Sequence, residues 1–245
     1  MSTKARIGTI IGINELKNYH VLARQMLSEF LGTFLYLSLI LLTGTSLNQG
    51  PTGSALANGL LISSIIQFTG HISGGHLNPA ITFGVMANGQ ITMVRGACYI
   101  AAQILGSIVG SSVAYAVTVS SLRSTLGTTV PNPNLRAEQI FAIEFLITFI
   151  LVAVVLSVID PNRGFAGIGS GAFAIGLSIT GCQCSCLPYT GTLNPIRSLG
   201  PAVLMNSWDS HWVYWVGPIS GGVAAGLVYR FLLRPNWKNV GNYEE

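Results

Sequence analysis

The chain is doubled, and that doubling limits its possible folds more than any other feature. His76-Leu77-Asn78-Pro79-Ala80 and Thr192-Leu193-Asn194-Pro195-Ile196 set their asparagines 116 positions apart. Glu29-Phe30-Leu31-Gly32-Thr33-Phe34 returns as Glu144-Phe145-Leu146-Ile147-Thr148-Phe149 at an offset of 115, and the pair Gly106/Gly110 returns as Gly222/Gly226 at 116. Such a repeat implies two copies of one structural unit, each with an Asn-Pro dipeptide near its middle.

Composition places both units in a bilayer. Half of the 245 residues are apolar, 8% are charged and the mean hydropathy is +0.57. Apolar runs of about 20 residues, the length that crosses hydrocarbon, predict six spans at 25–45, 55–72, 95–118, 139–159, 166–187 and 211–233. Two shorter runs, 79–88 and 195–205, reach only about halfway at roughly 1.5 Å per residue. Three full spans per half make the second copy enter from the opposite face, so the repeat is inverted and the half-spans meet near the midplane. The expected organisation is an N-terminal segment (1–24), a membrane unit (25–234, with halves of about 25–118 and 139–233) and a tail (235–245). No small-residue cleavage site follows the polar N-terminal stretch, so the first span is expected to be retained.

The formal net charge of +4 does not describe a nucleic-acid surface, because the basic residues sit at span ends rather than along one stripe. Lys4, Arg6, Lys17, Arg24, Arg95, Arg163, Arg230, Arg234 and Lys238 fall on one side of the membrane under this topology, and Arg123 and Arg136 on the other. By the positive-inside rule both termini are expected in the cytoplasm.

An asparagine at the N-cap followed by proline at the first helical position is a sound helix start: the side chain satisfies a free amide, and proline lacks one that would need satisfying. Each short run therefore reads as a half-helix opening at Asn78 or Asn194. Non-helical backbone cannot face lipid, so Gly70 to Leu77 and Tyr189 to Leu193 must be buried or line a water-filled cavity. Two half-helix N-termini, each carrying about half a positive charge, repel a cation and accept a neutral molecule with donors and acceptors.

Ser73-Gly74-Gly75-His76-Leu77-Asn78-Pro79-Ala80, Tyr189-Thr190-Gly191, Asn194-Pro195-Ile196-Arg197-Ser198 and Trp215-Val216-Gly217-Pro218 match, in kind and order, motifs of the aquaporins. The sequence resembles that major intrinsic protein family over about residues 20 to 235. The resemblance implies an all-α membrane fold: six tilted transmembrane helices and two half-helices in an inverted repeat, assembled as homotetramers with one pore per subunit. It implies a plasma-membrane water channel without a cofactor. Asn78 and Asn194 would face the pore, and Gly74, Gly75, His76, Gly191 and Leu193 would form the lining loops. Arg197 would be the outer selectivity arginine beside Thr192. Glu29 and Glu144, acids inside predicted spans, would brace the loops, since a buried carboxylate needs hydrogen-bond partners.

The family pattern breaks at the constriction. Asn58, twenty residues before Asn78, stands where water-selective members carry phenylalanine, and Gln183, six before Tyr189, where they carry histidine. The loop into Asn194 is one residue shorter than in most water channels, which leaves Cys182 and Cys184 as alternatives to Gln183. Two amides in place of two rings predict a wider filter with donors and acceptors for glycerol or urea. Against this, Ser198 replaces the aspartate typical of glycerol facilitators, Ala202 and Tyr214-Trp215 match water channels, and the long glycerol-type insertions are missing.

Other clusters read as structural. His71 and His76 lack a third metal ligand. Cys182, Cys184 and Cys186 alternate sides of a helix, with no matching Cys/His pair downstream. The Gly-x-x-x-Gly pairs at 106/110, 167/171, 217/221 and 222/226 are helix-packing devices. A secondary transporter shares the inverted architecture, and a junctional adhesion protein could share the fold, but no charged coupling site exists beyond the two glutamates. No nucleophile-base pair or phosphate loop suggests an enzyme.

Overall fold

The computed structural model describes residues 8, 10–44, 50–123, 126–161, 171–186 and 189–234. Lys4, Arg6, Arg163, Lys238, Gly167 and the tail from 235 onward lie outside them. A 3₁₀ turn at Ile13–Asn18 leads into α1 (Tyr19–Thr43), followed by α2 (Gly50–Ser73), α3 (Pro79–Asn88), α4 (Met93–Val117), α5 (Ala137–Ile159), α6 (Gly171–Cys186), α7 (Pro195–Met205) and α8 (Val213–Val228), which runs on as a π turn, Tyr229–Leu233. Five of these stretches are long and apolar enough to cross a membrane, and α6 is a shorter apolar helix. The predicted start of its span, 166–170, lies outside the described residues. The first helix opens six residues before the expected position, and its lead-in turn is clamped to α4 by Glu15, which pairs with Arg95 at 2.7 Å and accepts from Thr92 at 2.8 Å.

Packing follows the repeat. α1 lies on α4 as α5 lies on α8, α2 meets α6, and each half-helix rests on the last helix of the other half, α3 on α8 and α7 on α4. Small residues make these approaches possible. A Cβ on Gly106 would strike the Phe30 carbonyl, and one on Gly221 the Phe145 carbonyl. Phe30 and Phe145 each follow a repeat glutamate, so the true counterpart of Gly106 is Gly221, and the sequence match to Gly222 is out of register by one. Gly222 faces the Ala80 carbonyl on α3, where its counterpart Ser107 donates to the Ile196 carbonyl on α7.

α2 meets α6 through a reciprocal pair of glycines, where a Cβ on Gly59 would overlap the Gly176 carbonyl and one on Gly176 the Gly59 carbonyl. Neither backbone can yield without separating the helices, and overpacking against flexible side chains alone costs about 1–3 kcal/mol. Gly59→Leu is therefore expected to lower the yield of monodisperse detergent-solubilised protein by about tenfold, measured by size-exclusion chromatography. Gly181→Leu, whose added Cβ would meet nothing within 4 Å, should behave as native.

Candidate functional site

Both half-helices open as the Asn-Pro pattern demands. Asn78 and Asn194 cap α3 and α7 in extended conformation, with Pro79 and Pro195 in the first turn. Their Oδ1 atoms accept from Ala80 N at 2.8 Å and Ile196 N at 3.2 Å. Their Nδ2 atoms cross over: Asn78 donates to the Leu193 carbonyl at 2.9 Å and Asn194 to the Leu77 carbonyl at 3.0 Å. The two N-termini are thus tied tip to tip. A carboxamide nitrogen carries two hydrogens, so each asparagine keeps one N–H beyond this crossed pair.

The crossing requires strained backbone. Leu77 and Leu193 have φ of +52° and +53°, a left-handed conformation costing a side-chain-bearing residue roughly 1–2 kcal/mol. It persists because both sides of each peptide are held. The Glu29 carboxylate accepts from His76 N at 2.9 Å and Leu77 N at 2.7 Å, and also from Ser73 at 2.6 Å and Gln103 at 2.9 Å. Glu144 accepts from Thr192 N at 2.9 Å and Leu193 N at 3.0 Å, and from the Thr190 and Thr192 hydroxyls at 2.6 and 2.9 Å. Both glutamates are fully buried. The halves differ because the counterpart of Gln103 is Pro218, whose side chain has no donor, so loop threonines complete the second carboxylate.

The first irregular loop is shorter than expected. Gly70 to Ser73 continue α2, with Gly74 N still bonded to the Gly70 carbonyl at 2.9 Å, and only 74–77 are non-helical. Gly74 and Gly75 take φ of +95° and +61°, which ends the helix and accounts for the paired glycines. His76 is buried and turns Nδ1 to the Thr82 hydroxyl at 3.1 Å. That hydroxyl already donates to the Asn78 carbonyl at 3.0 Å, so Nδ1 must carry the hydrogen, leaving Nε2 as an acceptor. His71 is exposed, whereas His76 is buried. Among the described residues no three His, Cys, Asp or Glu side chains converge as a metal site.

Two cavities lie on either side of Asn58. The outer one, about 290 Å³, is lined by Ile40, Ser54, Asn58, Gln183, Gly191 and Arg197 among others. The inner one, about 20 Å³, runs past Asn58, Ile62, His76, Ile179 and both asparagines, and has room for about one water molecule at a time. Of the three candidates on α6, Gln183, Cys182 and Cys184, it is Gln183 that enters the outer chamber, while the Cys182 thiol points to the Ile147 carbonyl at 3.6 Å. Asn58 donates to Gln183 Oε1 at 2.9 Å, and Gln183 donates to the Gly191 carbonyl at 2.7 Å. Arg197 spends Nη1 on the Gly127 carbonyl at 2.5 Å and on Thr129 at 3.2 Å, which anchors its charge at the chamber wall. Thr192 is not in this group: it lines the inner cavity and its hydroxyl is given to Glu144.

Sequence reasoning missed Gln103, Gly127 and Thr129, and it named Thr190 only as part of a motif, without its bond to Glu144. Gln103 carried a signal, as the one carboxamide in α4.

Residues 15–229 match the descriptor of the major intrinsic protein family. The chain belongs to that family. It is 39% identical over 223 residues to the lens fiber major intrinsic protein of Oryctolagus cuniculus, covering 89% of this chain and 84% of the relative. To aquaporin-4 of Homo sapiens it is 39% identical over 232 residues, covering 91% and 71%. Among solved structures, the aquaglyceroporin from Plasmodium falciparum superposes with a TM-score of 0.77 at 27% identity, covering 87% of this chain and 98% of the other. As a major intrinsic protein it is a passive, multi-pass membrane channel rather than an enzyme.

Proposed function

We propose that this major intrinsic protein is a water channel whose amide-lined constriction also passes small uncharged solutes such as urea or glycerol. The observation that carries the reading is the crossed pair of half-helix tips, Asn78 to the Leu193 carbonyl and Asn194 to the Leu77 carbonyl. It leaves a one-water-wide path between N-H donors and a wall of Ile62, Ile66, Ile175 and Ile179. Water in single file exchanges hydrogen bonds with the loop carbonyls and the asparagine amides, while the positive ends of two half-helices and Arg197 oppose cations.

Asn58, Gln183 and Arg197 form the constriction in this reading, with Thr192 supporting it from the inner side through Glu144. Exposed Leu27, Leu31, Leu35 and Leu39 on α1 suit lipid or a neighbouring copy in a homotetramer. The excess of basic residues on one side supports cytoplasmic termini, and the plasma membrane is the location we propose.

Stopped-flow shrinkage of proteoliposomes in sucrose, glycerol and urea gradients tests this. The native chain is expected to raise osmotic water permeability well above empty vesicles. Asn58→Phe combined with Gln183→His, which restores two rings, is expected to cut urea and glycerol permeability by about tenfold while water changes less than threefold. Solute flux untouched by the double change would show that these two residues are not the constriction.

A further inference from the structure

The hydrogen-bonded amides at the neck begin at a residue outside every motif. Tyr36, on α1, is 3% exposed, lines the inner cavity and donates its hydroxyl to Asn58 Oδ1 at 2.9 Å. We propose that Tyr36 is a further specificity-determining residue of this pore, a positioning residue that locks the Asn58–Gln183 bridge and so sets how readily solutes larger than water pass. The proposal rests on the channel reading above.

Donor and acceptor rules fix the polarity of the chain from its Gly191 end, since the phenol hydroxyl can either donate or accept. The Gly191 carbonyl can only accept, so Gln183 must turn Nε2 toward it and present Oε1 to α2. That oxygen can only accept in turn, so Asn58 must offer Nδ2. Its Oδ1 is then left facing α1, where the phenol hydroxyl meets it. The sequence Tyr36 to Asn58 to Gln183 to Gly191 therefore runs in one direction and ties α1, α2, α6 and the second pore loop together. Asn58 borders both cavities, so the bridge stands at the neck between them.

Without the hydroxyl, Oδ1 keeps no protein donor and is left to water in the inner cavity. A half-turn of the amide would then place Oδ1 against Gln183 Oε1, oxygen against oxygen, and the bridge would break. The two amides would move independently, and a solute such as urea would no longer have to displace a hydrogen-bonded pair as a unit. Tyr36 acts through Asn58 in this account and not by bulk, which phenylalanine would preserve.

The test is water, urea and glycerol permeability of reconstituted full-length protein for Tyr36→Phe, Asn58→Leu and the double variant, with size-exclusion chromatography to confirm folding. Tyr36→Phe is expected to raise the urea-to-water permeability ratio about fivefold, and to add nothing in the Asn58→Leu background. An unchanged ratio in folded Tyr36→Phe overturns the proposal. So does an equal rise in both backgrounds, which would mean that Tyr36 works alone. Should Tyr36→Phe fail to fold, Gln183→Leu cuts the same chain at its far end and is expected to give the same rise, and an unchanged ratio there overturns it as well. Native protein with no water flux above empty vesicles would sink the channel reading itself, whereas normal water flux with an unmoved ratio sinks only the role of Tyr36.

Discussion

Glu144→Leu is expected to abolish the folded channel, with no monodisperse protein after detergent extraction, and Glu29→Leu to do the same. Each substitution strips acceptors from two backbone amides in left-handed or irregular conformation, Thr192 and Leu193 in one half and His76 and Leu77 in the other. It also takes an acceptor from the Thr190 and Thr192 hydroxyls, or from Ser73 and Gln103, which keep Ser28 and Thr82 as second partners. An unsatisfied buried donor costs about 1–3 kcal/mol, so the two amides alone remove a large part of the roughly 5–15 kcal/mol of a whole domain. The strain at Leu77 and Leu193 adds to that cost, because the carboxylate is one of the two clamps that hold it.

Glutamine at either position separates charge from shape. Its carbonyl oxygen keeps part of the acceptor set, but its NH₂ must face a donor, so Glu144→Gln is expected to fold with lowered thermal stability and reduced water flux. Full stability of Glu144→Leu by thermal unfolding in detergent would show that the loop holds its shape without the carboxylate.

How much of this was readable beforehand depended on whether a feature repeats. Asn78 and Asn194, Glu29 and Glu144, and the half-helices they serve could be found because each occurs twice at nearly one offset, and chance does not duplicate an intramembrane acid. The same reliance on offset misled where small residues run close together: Gly221 and Gly222 are neighbours on different faces of α8, and only contact distinguishes the one on α5 from the one on α3. Helix ends were misjudged for a related reason. Ser73 still obeys the helical hydrogen-bond pattern, and composition alone does not say which of Gly70, Gly74 and Gly75 turns to positive φ.

The single-copy polar partners were hidden for a different reason. Tyr36 and Gln103 have no counterpart of the same type in the second half, where Leu151 and Pro218 stand 115 residues on. A tyrosine on a transmembrane helix usually reads as an interfacial anchor. Its meaning here comes from the rotation of α1, which turns its hydroxyl toward α2, and rotation about a helix axis is set by packing. Thr192 shows the converse: the family resemblance set it beside Arg197 in the outer filter, but its hydroxyl donates to Glu144 and it lines the inner cavity.

Arg197→Val is expected to let protons leak through a channel that still conducts water. The guanidinium is a fixed positive charge at the outer chamber, held by the Gly127 carbonyl and Thr129, and a passing cation must come close to it. At about 4 Å and an effective dielectric near 20, that repulsion is worth about 4 kcal/mol, which corresponds to roughly a thousandfold in rate. The half-helix N-termini at Asn78 and Asn194 keep their own field of about half a charge each, so removing the arginine dismantles only part of the barrier. Proton influx, followed with a pH-sensitive dye in proteoliposomes under an imposed potential, is expected to rise by up to about three orders of magnitude, with water permeability within threefold of native. Arg197→Lys keeps the charge while losing the planar fork that engages Gly127 and Thr129, so it should remain nearly as proton-tight as native. Equal leak in the lysine and valine variants would mean that anchoring of the outer loop, rather than charge, keeps protons out. No leak in either would leave exclusion to the two half-helix tips alone.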